Sequence, residues 1–182
     1  MATRTGSFGQ HEAMSPVDRL GTWWGRAALR RRVGPLANRR VADLGCGYEA
    51  SLGRSIAAEV AELTLVDLAL NDDLATLPNT TLVTGPLPTT LDDLGEAHFD
   101  VVVLSSVLEH LDDDRGTLVA CRRLLRPDGV LFVNVPSWWG KTALEFSAFR
   151  LGLSPAEEMN DHRRYYDPRD LWPKLVEAGF VP

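Results

Sequence analysis

Val41-Ala42-Asp43-Leu44-Gly45-Cys46-Gly47 reads as an apolar strand that runs into two glycines one residue apart. Without a Cβ the backbone can turn sharply there and approach a ligand closely, so the stretch predicts a nucleotide-like ligand at a strand end. Gly45, Gly47 and Ala50 also fit the dinucleotide pattern G-x-G-x-x-G/A. That pattern wants an apolar strand end, whereas here Asp43 stands two residues before Gly45. A carboxylate at the mouth of the turn repels a pyrophosphate and attracts a cation. The residues therefore weigh toward a positively charged ligand and leave a nicotinamide cofactor as the alternative.

Outward from this turn, apolar strand-like runs alternate with helix-like runs, the pattern of an α/β fold with a parallel sheet and helices on both faces. The first strand is Val41 to Leu44, and the helix after the turn is expected from about Ser51 to Glu59. Leu63 to Val66 is a second strand ending on Asp67, which follows Gly47 by about the twenty residues that separate a glycine turn from an acid holding a ribose hydroxyl pair. A short helix begins near Asn71 and ends at Pro78, and Thr80 to Val83 is a third strand. Phe99 to Leu104 is nearly all apolar after Asp100, as a central strand buried on both faces must be. A helix from about Asp113 to Leu125, a turn over Leu125 to Gly129 and a fifth strand from Val130 to Val135 follow. Asp167-Pro168-Arg169-Asp170 caps a last helix that ends at Gly179.

Before the turn, the first fourteen residues read as a mobile tail, and Ser15-Pro16-Val17-Asp18 opens a helix to about Arg32, stopped by Gly34-Pro35. Trp23 and Trp24 on this helix are expected to pack onto the main domain, with a flap over the ligand as the alternative. Arg30-Arg31-Arg32 reads as a solvated helix end whose cations offset the dipole. Residues 1–39 thus form a tail and helix, and residues 40–182 one domain with an insert at 137–166.

At 182 residues, 45% hydrophobic and 24% charged, the composition is that of one globular domain. A formal charge of -6 argues against nucleic acid or an anionic membrane as the main partner. Cys46 and Cys121 show neither metal spacing nor a disulfide framework, which fits a reducing cytoplasm. No apolar run approaches the roughly 20 residues of a membrane span, and Met1 to Gln10 lacks the apolar segment of a signal peptide. The expectation is a cytoplasmic protein with no integral membrane association and no metal.

Asp-x-Gly-x-Gly at Asp43 to Gly47, Phe99-Asp100 before the fourth strand, Leu108-Glu109-His110 after it, Leu125 to Gly129 and Ala178-Gly179-Phe180 occur in order. Together they resemble the class I S-adenosylmethionine-dependent methyltransferases, and within them the small-molecule subgroup. The resemblance runs from Val41 to Phe180. It implies a Rossmann-like open parallel sheet of order 3-2-1-4-5 and S-adenosyl-L-methionine as cofactor, with S-adenosyl-L-homocysteine as product. It also implies cofactor contacts from Asp43, Gly45, Cys46, Gly47, Asp67, Leu68, Pro86, Leu87 and Ser105, with Asp43 at the methionine end and Asp67 on the ribose. The chain departs from the pattern at Pro86, where many members carry an aspartate toward the adenine amino group, and at Glu49, in place of a third glycine. A cofactor-binding module without turnover is the reading those departures motivate.

Methyl transfer to a protonated oxygen or nitrogen needs a base, and a histidine near neutral pKa suits it. His162, in a loop expected to overhang the strand ends beside Tyr165 and Tyr166, and His110, nearer the cofactor side, are the candidates. Trp138, Trp139, Leu144, Phe146 and Phe149 make the insert apolar enough to pack on the core or to roof a pocket for a small, partly apolar acceptor. Members of the resembled class carry seven strands, whereas only Phe180-Val181-Pro182 follow Gly179. Strands six and seven are therefore expected to be largely absent: either the chain is a piece of a longer protein, the reading favoured by Ala178-Gly179-Phe180-Val181 as a strand entry, or the insert from Trp138 to Leu153 or a second copy covers strand five. The edge of strand five is then where a homodimer would pair.

Overall fold

A computed structural model describes residues 7–10, 16–135 and 166–182. Five parallel strands form one sheet in the order β3-β2-β1-β4-β5, the order expected from the sequence. They are β1 (Arg40–Leu44), β2 (Glu62–Asp67), β3 (Thr80–Thr84), β4 (Phe99–Ser105) and β5 (Leu125–Asn134). Among the described residues four α-helices accompany them: α1 (Pro16–Val33), α2 (Ser51–Ile56), α3 (Asp114–Leu124) and α4 (Pro168–Glu177). β1 lies between β2 and β4, with Val41 opposite Leu63 on one side and Val101 on the other.

Alternation along the central strands divides the interior in two, because successive side chains point to opposite faces. Val101 and Val103 join Leu29 and Val33 of α1 and Ile56 of α2 on one face. Val102 and Leu104 join Leu118, Cys121 and Leu124 of α3 on the other, with Leu171 and Leu175 of α4 packed against them. Each β4 residue from Val101 to Leu104 is fully buried, so its apolar run reads as it does because both faces are covered.

Four expectations change. α2 stops at Ile56, since the Glu59 amide bonds the Ile56 carbonyl in a tighter turn, and Glu59 then takes Arg26 and Arg30 of α1 as ion-pair partners. The turn expected over Leu125 to Gly129 lies inside β5: Leu125 pairs with Phe99 and Val130 with Val101, so residues 126–129 arch out opposite Asp100 alone. Asp100 holds that arch by accepting from Arg126 Nη1 at 2.9 Å and from the Arg40 amide at 2.8 Å. Trp23 and Trp24 do not pack onto the main domain: they are 62% and 63% exposed, and their rings meet edge to face. Residues 7–10 are no free tail, because Ser7 is buried and bonded to the end of β2. The insert expected at 137–166 lies outside the described residues up to residue 165.

Candidate active site

The site is built where the chain leaves β1, β2 and β4 at their carboxyl ends, the side on which open parallel sheets bind ligands. The glycine turn after β1 is drawn over β2 by one carbonyl: Val66 accepts from the Gly45 amide at 2.7 Å and from the Cys46 amide at 3.3 Å. Gly45 has φ +70°, and a Cβ there would stand 2.6 Å from a methyl of Val107, the residue after the β4 turn. Gly47 has φ +77° and gives its amide to Asp67 Oδ2 at 2.7 Å. Glu49 has no positive φ and needs no glycine; its side chain accepts from Asn71 Nδ2 at 2.8 Å, and the left-handed residue is Ala50, with φ 42°.

A cleft of about 350 Å³ opens against these turns. Gly45, Asp67 and Leu68 form one side, the apolar run Gly85-Pro86-Leu87-Pro88 a second, and Ser106, Val107 and the segment from His110 to Asp113 a third, with Phe8 also in the lining. Of the residues expected from the sequence, Gly45, Asp67, Leu68, Pro86, Leu87 and His110 line this cleft. Gly47 does not line it but orients Asp67 from behind. Cys46 is half-buried beside the Gly47 carbonyl, with its thiol pushed well above the usual range by burial and by the nearby Asp43 and Asp67. Ser105 also lies off the cleft, within reach of Asn134 Nδ2 at 3.3 Å, and its neighbour Ser106, at φ 56°, takes the place. His162 lies outside the described residues.

Asp43 sits beneath the turn at 2% exposure and does not line the cleft. Burial pushes its carboxyl up to about 7; the Gly53 amide offsets part of this, and the charge of Asp67 adds to it. Its Oδ2 has no hydrogen-bond partner, so the Gly53 amide leaves the buried acid under-satisfied. Glu109 is also fully buried, with neither carboxyl oxygen paired, and burial raises it to about 7. Among the described residues no group of three or more His, Cys, Asp or Glu is placed to hold a metal ion.

Sequence reasoning missed Ser7, Phe8, Ser106 and Val107. For Val107 the motif around Leu108-Glu109-His110 was a usable signal. For Ser7 and Phe8 there was none, because their placement is a tertiary contact spanning 60 residues from Ser7 to Asp67.

A parallel sheet of order 3-2-1-4-5 with a glycine turn after β1 and an acid ending β2 is the architecture of a Rossmann-like methyltransferase. A family model described as a methyltransferase domain matches residues 8–182, and the chain belongs to that family. A ubiquinone biosynthesis O-methyltransferase of Idiomarina loihiensis is 31% identical over 179 residues, covering 91% of this chain and 68% of the relative. The protein of that name from Thiobacillus denitrificans is 30% identical over 155 residues, covering 80% of this chain and 66% of its own length. The chain thus spans about two thirds of these relatives. Among solved structures, Burkholderia thailandensis 1,6-didemethyltoxoflavin-N1-methyltransferase, with 1,6-didemethyltoxoflavin and S-adenosylhomocysteine bound, superposes at TM-score 0.66 with 22% identity. That match covers 91% of this chain and 70% of that one, and at this identity it speaks for the fold. No described helix is long and apolar enough to cross a membrane.

Proposed function

We propose that this chain is an S-adenosylmethionine-dependent methyltransferase that methylates an oxygen of a small, partly apolar molecule. One observation carries the reading: Asp67, at the end of β2 and oriented by the Gly47 amide, stands on the wall of a cleft that is otherwise mostly apolar. The cleft falls within the roughly 300–1,000 Å³ usual for small-molecule sites. The residues in the cleft wall fit the cofactor: Asp67 can accept ribose hydroxyls, and Leu68 with Pro86 and Leu87 offers apolar surface to a purine. Pro86 cannot accept from an adenine amino group, so recognition on that side rests on shape. Bound S-adenosylmethionine supplies a methyl group on a sulfonium, already activated for displacement.

The protein's own work is to align the acceptor, exclude water and take a proton. His110, in the cleft wall, is the described residue suited to receive that proton, and His162 is the candidate from the loop before α4. The names of the two relatives support oxygen as the acceptor atom and an apolar acceptor. Calorimetry with S-adenosylhomocysteine and a screen of hydroxyl-bearing apolar compounds with labelled methyl donor test the reading. Asp67→Ala is expected to weaken S-adenosylhomocysteine binding at least tenfold, the scale of losing hydrogen bonds to a charged acceptor, with the thermal transition retained. Unchanged affinity would remove the assignment. Binding without turnover on any acceptor would favour a cofactor-binding module.

A further inference from the structure

Asp67 is shared. A carboxylate has about four acceptor positions. Oδ1 takes the Leu68 amide at 2.7 Å and the Ser7 hydroxyl, and Oδ2 takes the Gly47 amide. The Ser7 oxygen also lies 2.6 Å from the Ala69 carbonyl and accepts from the Ala69 amide at 2.6 Å. Its single proton goes to the charged acceptor, the stronger of the two. One position on Asp67 is then left, and a ribose needs two, because its neighbouring hydroxyls donate together.

We propose that the Ser7 hydroxyl occupies the place of a ribose hydroxyl on Asp67, and that the cofactor binds by displacing residues 7–10. This rests on the reading of Asp67 as the ribose acceptor. The segment is held in a way that permits release. Its attachments to the glycine turn and β2 are hydrogen bonds: those of Ser7, and the Phe8 carbonyl accepting from the Tyr48 amide at 2.8 Å. Phe8 lines the cleft yet remains 42% exposed, so little apolar burial anchors it. The segment thus acts as an internal competitor, and the apparent affinity for the cofactor is the intrinsic affinity multiplied by the fraction of molecules in which the segment is unseated.

The test is calorimetry of the full chain with S-adenosylhomocysteine. Ser7→Ala removes the competing hydroxyl and is expected to tighten binding about three- to tenfold, the ratio one hydrogen bond of ordinary net strength confers. Ser7→Asp sets a like charge against Asp67, expels the segment and is expected to tighten binding at least as much. In an Asp67→Ala background, Ser7→Ala is expected to gain less than in the native one, because the hydroxyl is then held by Ala69 alone. Unchanged or weaker binding by Ser7→Ala in the native background overturns the proposal, and weaker binding would mean that the segment closes over the cofactor. Asp67→Ala alone with native affinity overturns the ribose assignment and this inference with it. Weakened binding by Asp67→Ala without a gain from Ser7→Ala overturns this inference only.

Discussion

Gly45 answers to two constraints, its positive φ and the methyl groups of Val107. A left-handed non-glycine residue costs about 1–2 kcal/mol and overpacking about 1–3 kcal/mol, so Gly45→Ala is expected to lower unfolding stability by about 3 kcal/mol. A lower urea midpoint at unchanged slope checks this. Asp43 gives stability a pH dependence of definite sign. Its carboxyl is held at about 7 in the folded chain, against roughly 3.9 when unfolded, so the native state binds the proton more tightly. The contribution is complete below about pH 4, is lost as pH rises through about 7 and is constant above. Asp43→Asn is expected to flatten the stability profile across that window by up to about 1.4 kcal/mol per pH unit, leaving the parallel contribution of Glu109. A profile in Asp43→Asn as steep as the native one would sink the claim. Four cleft residues were legible: Gly45 and Asp67 from the glycine turn and the spacing after it, Leu68 and His110 from the family resemblance. That Asp43 lies under the turn, and not in the cleft, was not legible, because depth is decided by how α2 and β2 pack around it.

The elements were easier to read than their ends. β4 and α3 match their apolar patterns, since long periodic segments bury what their period predicts. β5 did not match at its start, because Asp100 turns an apparent loop into a bulged strand by pairing with Arg126 across the sheet. α4 is fastened to α3 by a small buried cluster that no local pattern announces: Asp114 takes the Tyr166 hydroxyl at 2.6 Å and the Lys174 ammonium. The Tyr166 hydroxyl also reaches the Leu108 carbonyl at 3.4 Å, next to the turn that carries His110. Lys174→Met takes an ammonium from a nearly buried carboxylate and is expected to lower stability by about 3 kcal/mol. Tyr166→Phe is expected to lower it by about 1 kcal/mol. Equal small effects from both in denaturant titrations would mean the ion pair is solvated.

Across the whole molecule, the sheet separates two apolar interiors, and β5 ends the order of strands among the described residues. Amide exchange is expected to be slowest in Val101 to Leu104 and faster at those amides of Val130 to Val133 that face away from β4. Pairing of a second copy on that edge would make the β5 rates fall with protein concentration. Uniformly slow β5 amides in a monomer would mean that the edge is covered. The parallel sheet was readable from the alternation of strand-like and helix-like runs and its order from the family resemblance, whereas the placement of residues 7–10 was not, because hydrogen bonds between distant segments leave no periodic trace. The contact between Gly45 and Val107 joins the two halves of this sheet, since one follows β1 and the other follows β4. The two positions divide a fixed volume between them, so sequences that keep this fold are expected to trade size from one to the other. Val107→Ala should then recover the steric share of the loss in Gly45→Ala and leave the dihedral share behind, which makes the pair a means of weighing crowding against backbone strain within one turn.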